Sequence, residues 1–562
     1  MEKHALSRRR FLGMAGLAGA TLASGSIVAG CSATTEAQVS TDAQGPITEG
    51  PSWENPPAPI PDDQIKETKT VDLVVVGAGV AGGATFMTAC EGGLKVALVE
   101  KTESFNARGM DIAAVNTKAQ EEAGISLNKA AIVNDLVVAS GYKANGELIK
   151  LWADQSGRVL SDLIDMTKAE GLSVKIASLS ETNMDGDGFW NRTYPVTHNL
   201  GVELGNGVCN QKLLESMINR GIKAGGEVFY QTPAEQLITD ASGAVVGVVC
   251  KQEDGYIRFD APKGVVFASG DYSGNQAMVD KWDPILNEAM TNIYTPAGAN
   301  TGDHVNMAFW VGGTMQKGSA AAMVHPIMGG GACGTYSFLR VNKDGGRFCN
   351  EDTPLPGITN AYMVAPNHTV WTIMDADFAT QVTNMSQLSM YNGTTSGPFD
   401  PTLGITPEDG MKQTLESGAS VTGDTIEALA EAMGVPSDAL VRTVNRYNEL
   451  VELGEDVDFG KDPACLHPIA KAPFYASQVN AVTLTCTGGL DVDSNMNVCS
   501  TEGGAIQGLY AVGNAAGNFF SNEYPMVCPG ISHGRAITLG YVLGEALSQG
   551  VTAQEISAEH QA

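Results

Sequence analysis

The stretch Val71-Asp72-Leu73-Val74-Val75-Val76-Gly77-Ala78-Gly79-Val80-Ala81-Gly82 decides how the rest of the chain is read. A β-branched run of strand length ends in Gly-x-Gly-x-x-Gly. A second apolar run, Lys95 to Val99, then ends in Glu100. In this pattern Gly77 permits a tight turn, Gly79 lets the backbone approach a pyrophosphate, and Gly82 lets the following helix pack on the strand. The helix N-terminus would face the phosphate charge. Glu100 is placed to accept from a ribose 2′-hydroxyl. The competing reading is a glycine-rich turn in an unrelated sheet; strand, helix, strand and terminal acid together favour a dinucleotide site.

Later segments bear on which dinucleotide. Val265-Val266-Phe267-Ala268-Ser269-Gly270-Asp271 reads as a buried strand ending in small residues, and Thr301-Gly302-Asp303-His304 as a tight turn with an acid. Leu509-Tyr510-Ala511-Val512-Gly513-Asn514 reads as a late strand leading to a helix. FAD is long enough to touch strands that return from far along the chain, whereas an NAD fold is usually complete within one contiguous half. Chain ends sharing one nucleotide site around a long insertion point to FAD.

Composition bounds the alternatives. With 562 residues the chain exceeds one hydrophobic core, so two domains or a domain with an insertion are expected. The 43% hydrophobic and 17% charged residues are those of a globular protein. The 66 glycines suggest tight turns and close backbone approaches to a ligand. Asp and Glu outnumber Lys and Arg by 63 to 34, a net charge of −29, which argues against nucleic acid and anionic membrane surfaces as partners. The ten cysteines include no Cys-x-x-Cys and no Cys-x-x-Cys-His, so covalent haem and ferredoxin-type clusters have no local signature. They are read as buried free thiols, with a disulfide or a cluster built from scattered cysteines as alternatives. No metal site is expected.

The N-terminus reads as an address. Ser7-Arg8-Arg9-Arg10-Phe11-Leu12 before a weakly apolar stretch, Gly13 to Gly30, is the form of a twin-arginine export signal. Val28-Ala29-Gly30-Cys31 resembles a lipoprotein cleavage box with Cys31 lipidated; an uncleaved anchor or a chance basic start are the alternatives. Residues 32–69, rich in Thr, Pro, Ala and acidic residues, are expected to be a flexible linker. The expected division is signal 1–31, linker 32–69, a first FAD-binding segment 70–318, a substrate-capping domain 319–483, and a second FAD-binding segment 484–562.

These blocks resemble the FAD-dependent fumarate-reductase-like flavoproteins, which include urocanate reductases and 3-ketosteroid Δ1-dehydrogenases. The resemblance runs from about Val71 to Leu547. It rests on Gly77, Gly79 and Gly82 with Glu100-Lys101, then on Ala268-Ser269-Gly270 and Thr301-Gly302-Asp303. It continues through His325-Pro326, Val341 to Glu351, Thr487-Gly488-Gly489-Leu490 and Gly508 to Asn514. It implies an α/β fold: a Rossmann-like FAD-binding domain with an inserted α+β capping (clamp) domain, Leu429 to Lys461 belonging to the cap. It implies cofactor contacts at Gly77, Gly79, Val80, Ala81, Gly82, Glu100, Lys101, Arg108, Gly109, Ala234, Ser269, Gly270, Asp303, Gly513, Asn514, Gly530, Ile531 and Ser532.

The departures from the family bear on the substrate. Its fumarate reductases carry a proton-donating Arg shortly after Asn-Glu; here that place falls near Leu355, which cannot donate. They carry a His before the Gly-Gly turn that holds a substrate carboxylate; here Thr485 stands near it. The Arg that clamps a second carboxylate is missing from Asn522 to Arg535. Without cations, two carboxylates would be desolvated unpaired, at a cost of several kcal/mol, so fumarate is not the expected substrate. Tyr524-Pro525 with Pro529-Gly530 loosely matches the ketosteroid dehydrogenases, in which a Tyr hydroxyl and a Gly amide polarise a carbonyl.

The candidates for catalysis are Tyr524, His325, Tyr336, Arg340 and His533. Tyr524 is a carbonyl polariser or acid, or else core packing. His533 and Ser532 open a helix running to Leu547, whose amides would stabilise negative charge at flavin N1 and O2, or else they simply cap it. His325 orients substrate, or is a satisfied core histidine. Tyr336 and Arg340 lie in a loop where an acid could sit. Arg347 and Glu351 are expected to form a structural ion pair, and the acidic run Glu452 to Asp458 a solvated loop or a dock for a basic electron donor. The expected activity is reduction of a C=C bond conjugated to a carbonyl or carboxylate, with electrons from a separate cytochrome or quinol-linked donor. Reverse, ketosteroid-type dehydrogenation and a non-catalytic flavin- or solute-binding lipoprotein are the alternatives.

Overall fold

The computed structural model describes residues 52–178, 184, 192–204, 208–289, 291–294, 296–328, 336–353, 357–385 and 406–560. The export signal, Cys31, Cys333 and Leu355 lie outside these residues. The chain forms two compact units. Among the described residues, the larger takes 52–284, 293–323 and 485–560; the smaller takes 285–292 and 324–484. Residues 285–292 thus go with the smaller unit although they precede the expected insertion.

The larger unit is built on a six-stranded sheet. Its centre is β1 (Leu73–Val76), flanked by β2 (Val96–Val99) and β3 (Val265–Phe267), all parallel. Outside β3 lies β4 (Ala505–Ala511), also parallel, then an antiparallel edge strand, Asn497–Cys499; Glu227–Phe229 closes the other edge. All residues of β1, β2 and β3 are buried, as expected of strands covered on both faces. The central strands therefore come from the beginning, middle and end of the chain, as the expected FAD topology requires.

Three helices matter to the site: α1 (Val80–Glu91), α2 (Asp303–Trp310) and α3 (Ile531–Gln549). Helices α1 and α3 pack closely because each presents small residues. A Cβ at Gly540 would lie 2.5 Å from Ala81 O, and one at Gly544 2.0 Å from Thr88 Oγ1. The Thr88 hydroxyl also donates to Tyr541 O across the helix pair.

The expected linker needs correction. From Ser52 onward the segment is docked on the larger unit: Trp53 packs on Trp282 with ring centroids 5.0 Å apart, Trp310 Nε1 donates to Ser52 O, and Lys281 pairs with Glu54. Ile65–Thr70 then pairs in parallel with Gly255–Asp260. Buried aromatic area and backbone pairing outweigh the Pro-rich composition. Among the described residues no helix is long and apolar enough to cross a membrane.

The smaller unit centres on an antiparallel sheet in which Val370–Met374 lies between Leu339–Asn342 and Phe474–Cys486, with Ser420–Gly423 alongside the latter. Helices Ile426–Met433 and Ser437–Leu453 cover it through Leu429, Leu440, Val444 and Tyr447. The expected ion pair is present: Arg347 grips Glu351 and, through its other edge, Asp456. Asp456 therefore departs from the expected solvated loop. It is buried because it supplies the second carboxylate for Arg347, while Asp458 pairs with Arg446 at the surface.

Candidate functional site at the strand ends of the larger unit

At the end of β1 the backbone turns through Gly77 at φ +104°, where a Cβ would strike Ala268 O at 2.6 Å. A Cβ at Gly82 would sit 1.9 Å from Gly77 O, so helix and strand can approach only without one. Gly79 differs: the nearest atom to its Cβ position is Asn106 O at 4.0 Å, so a side chain there would project into open space beside the N-terminus of α1. That is a cradle suited to phosphate oxygens.

Glu100 closes the turn. Its Oε2 accepts from Ala78 N at 2.8 Å, and its Oε1 accepts from both the amide and the hydroxyl of Thr102. The next residue ties in the turn before α2, for Lys101 Nζ donates to Thr301 Oγ1 at 2.7 Å and pairs with Asp303 at 2.8 Å. The Arg108 guanidinium stacks 4.1 Å over the Tyr294 ring. Val80, Glu100, Lys101, Arg108, Gly109, Ala234, Ser269, Gly270, Asp303, Asn514, Gly530 and Ser532 are all partly exposed, while β1, β2 and β3 are wholly buried. Gly77, Ala81, Gly82, Gly513 and Ile531 form buried floor positions.

The N-terminus of α3 brings a second set of groups. Gly530 caps it at φ +87°. The Ser532 amide donates to the Tyr524 hydroxyl at 3.1 Å, and Tyr524 is 2% exposed. Burial pushes the phenol well above its ordinary range, so the hydroxyl keeps its proton and still has it to donate. His533 Nδ1 lies 3.0 Å from Asp111 O. A carbonyl only accepts, so Nδ1 carries the proton and Nε2 keeps a lone pair. Burial pushes the imidazole down to about 4, leaving it neutral. The Asp111 carboxyl is pushed up to about 6, again by burial, with Asn199 donating to it at 2.7 Å.

A buried polar chain runs behind these residues. Arg535 Nη2 donates to Asn514 Oδ1 at 2.6 Å, Asn514 Nδ2 donates to Thr485 Oγ1 at 2.9 Å, and the Thr485 hydroxyl donates to Asp271. Asp271, fully buried, also accepts from Ser273 N and Oγ, Asn300 Nδ2 and Cys486 N, so its charge is well solvated by donors. Cys486 Sγ lies 3.0 Å from Asp283, whose carboxyl burial raises to about 6. All eight described cysteines are free, six of them buried.

The remaining candidates belong to the smaller unit. His325 is half-buried on Ala322–Met328. Arg340, 1% exposed, directs its guanidinium to Tyr362 Oη and the carbonyls of Phe338 and Tyr336, while its amide donates to Glu351. Its donors go to that unit's own core. Tyr336 is buried in a cluster with Phe338 and Met374. Tyr294, Asp111 and Asn199 contact the expected site residues or one another, and sequence reasoning did not single them out; Asp271 was read only as the end of a strand. They are recognised by their spatial partners, and the sequence carries no pattern for them beyond the strand-end position of Asp271.

The sequence pattern of a family described as FAD binding domain matches residues 72–526. The chain is 27% identical to the vinyl phenol reductase of Lactiplantibacillus plantarum over 86% of its own length and 98% of the relative's. It is 26% identical to a cytochrome-type fumarate reductase of Shewanella frigidimarina, over 80% and 72% of the two chains. The 3-ketosteroid-Δ4-(5α)-dehydrogenase of Rhodococcus jostii RHA1 shares the fold, with a TM-score of 0.67 at 21% identity over 87% and 99%.

Proposed function

From its membership of the FAD binding domain family, which makes this chain an FAD-dependent oxidoreductase, we propose that it reduces a C=C bond conjugated to a carbonyl or a single carboxylate. The observation that carries the choice of substrate is the Thr485–Asp271 bond. Where the resemblance leads one to expect a cationic hold on a substrate carboxylate, this chain has a hydroxyl committed to a buried anion. A dicarboxylate brought there would meet like charge rather than a partner, at a cost of several kcal/mol. A neutral enone, an aryl alkene or a monocarboxylate carries no such penalty.

The residues divide the work. The Gly77–Gly82 turn and the α1 N-terminus would hold the pyrophosphate, Glu100 the adenosine ribose, and Lys101 with Asp303 the loop between them. Arg108, Gly109 and the α3 N-terminus would hold the flavin end. When bound, FAD supplies the hydride that adds to the β-carbon of the alkene. Tyr524, protonated and fixed by the Ser532 amide, is suited to donate a hydrogen bond to the substrate carbonyl oxygen as charge develops there. His533, neutral with a free lone pair on Nε2, is suited to orient a donor group.

Electrons would come from a separate cytochrome or quinol-linked donor. The twin-arginine and lipobox readings support an exported, lipid-anchored enzyme. A second reading, dehydrogenation of a saturated ketone, is favoured by one feature, the pairing of Tyr524 with the Gly530-capped helix. Anaerobic oxidation of reduced methyl viologen with an enone, a cinnamate and fumarate as acceptors separates the readings. Turnover with the enone or the cinnamate and not with fumarate supports the proposal. Dye reduction by a saturated ketone, with no viologen oxidation, transfers the case to the dehydrogenase; flavin binding without either leaves the non-catalytic reading.

A further inference from the structure

Arg535 is a buried cation that no described residue neutralises. Its guanidinium is 1% exposed, on the first turns of α3. Nη1 donates to Gly513 O at 2.7 Å, Nη2 donates to Asn514 Oδ1 at 2.6 Å, and Nε has no partner. The rings of Phe519 and Phe520 lie 5.6 and 4.8 Å away. All these partners are neutral, and among the described residues no carboxylate forms an ion pair with it. Arg347 and Lys461, also deeply buried, each face Glu351. An isolated buried charge is strongly disfavoured, and in practice is paired or faces a ligand.

Its position indicates which ligand. Gly513 and Asn514 follow β4, and Ser532 and His533 open α3; all four are among the residues expected at the flavin or the reacting substrate. Arg535 holds these two segments together from beneath. We propose that Arg535 is a positioning residue for the redox chemistry: its uncompensated charge is balanced by the flavin on reduction, and it thereby raises the midpoint potential of the bound FAD. When FAD takes up two electrons from an external low-potential dye and one proton from solvent, it becomes one charge more negative. A fixed cation in a low-dielectric surrounding favours that form, and the amides of the α3 N-terminus act in the same direction. Because Asn514 also bonds Thr485, the same contact links the flavin floor to the proposed substrate wall.

The test is the midpoint potential of the purified, FAD-loaded protein in a dye-referenced reductive titration, with FAD stoichiometry recorded alongside. Arg535→Met removes the charge and is expected to move the potential to a more negative value. Arg535→Lys keeps the charge and is expected to stay near the parent, which a purely structural role for the guanidinium fork would not produce. Arg535→Gln retains a donor for Gly513 O and serves where the Met variant fails to fold; it too is expected to be more negative. A neutral variant that holds FAD and keeps the parent potential overturns the proposal. The inference rests on FAD binding alone. Its result is therefore independent of whether the alkene-reductase reading survives.

Discussion

Thr485 is held from both sides. It accepts a 2.9 Å hydrogen bond from Asn514 and gives its own proton to Asp271. The hydroxyl thus has no donor left for a substrate, and the position near the Gly488-Gly489 turn is neutral-to-acidic where dicarboxylate binding would need a cation. This one geometry connects the flavin floor, through Asn514, to the selectivity proposed for the enzyme.

Thr485→Val should keep the shape of the site and remove the bond to Asp271. The carboxylate loses one of its donors while fully buried, so the folded state is expected to lose about 1–3 kcal/mol. Chemical unfolding of the FAD-loaded protein measures it; an unchanged midpoint would mean that the Thr485–Asp271 bond contributes nothing.

Tyr524→Phe is expected to retain FAD and lose turnover by about 10²–10³-fold, the effect of removing one oxyanion donor or acid. Because Tyr524 sits at the end of α3 with its hydroxyl on the Ser532 amide, the flavin absorbance spectrum should be recorded with the rate. Full activity in the variant would assign Tyr524 to packing with Phe520.

Glu100→Ala breaks the contacts that lock the glycine turn to β2, as well as the expected ribose contact. FAD affinity should fall by about 1–3 kcal/mol, about fivefold to 150-fold in Kd. Flavin fluorescence released on dilution reads it directly. Parent-like retention would remove Glu100 from the cofactor site.

His304 carries a pH prediction. Both ring nitrogens are buried without partners, and burial pushes the imidazole down to about 4. A histidine depressed in the folded state contributes stability that is present above its unfolded value near 6.5 and is lost as pH falls toward 4. Between pH 7 and 5 the protein should lose about 2 kcal/mol from this residue. His304→Phe, which keeps an aromatic ring near Phe267, should show a shallower acid loss. Equal pH slopes for parent and variant would contradict the assignment.

Arg347→Ala should be the most damaging of these changes. It leaves Glu351 and Asp456 buried without their shared cation. Burial opposes ionisation of Glu351, and Lys461, Arg347 and the Arg340 amide together hold it below the ordinary carboxylate range. A loss of about 3–5 kcal/mol is expected, measured as a lower unfolding transition. Stability within about 0.5 kcal/mol of the parent, the size of a neutral surface change, would show that the ion network is dispensable.

The nucleotide half of the molecule is legible in sequence because its signals are local. A β-branched run, three glycines and a terminal acid occupy Val71 to Glu100, and each acts within one strand–turn–helix unit. Small residues after Phe267 and Ala511 likewise mark strand ends without knowledge of their neighbours. What could not be read depends on partners distant in sequence. Asp456 sits in an acidic run and looks solvated until Arg347 is placed against it. The segment from Ser52 reads as a tether by its prolines, yet Trp53 finds Trp282. Arg535 stands in a helix start without any charge pattern; that its partners among the described residues are neutral is visible only when Gly513 and Asn514 are folded against it.

The most direct test of the account is the acceptor dependence of viologen oxidation by the FAD-loaded protein under anaerobic conditions, with fumarate set against a cinnamate and an enone at equal concentration. The account predicts turnover with the monocarboxylate or the enone, and none with fumarate. Fumarate turnover matching or exceeding theirs would contradict it, because the Thr485–Asp271 wall would then be accommodating the very charge it is argued to exclude.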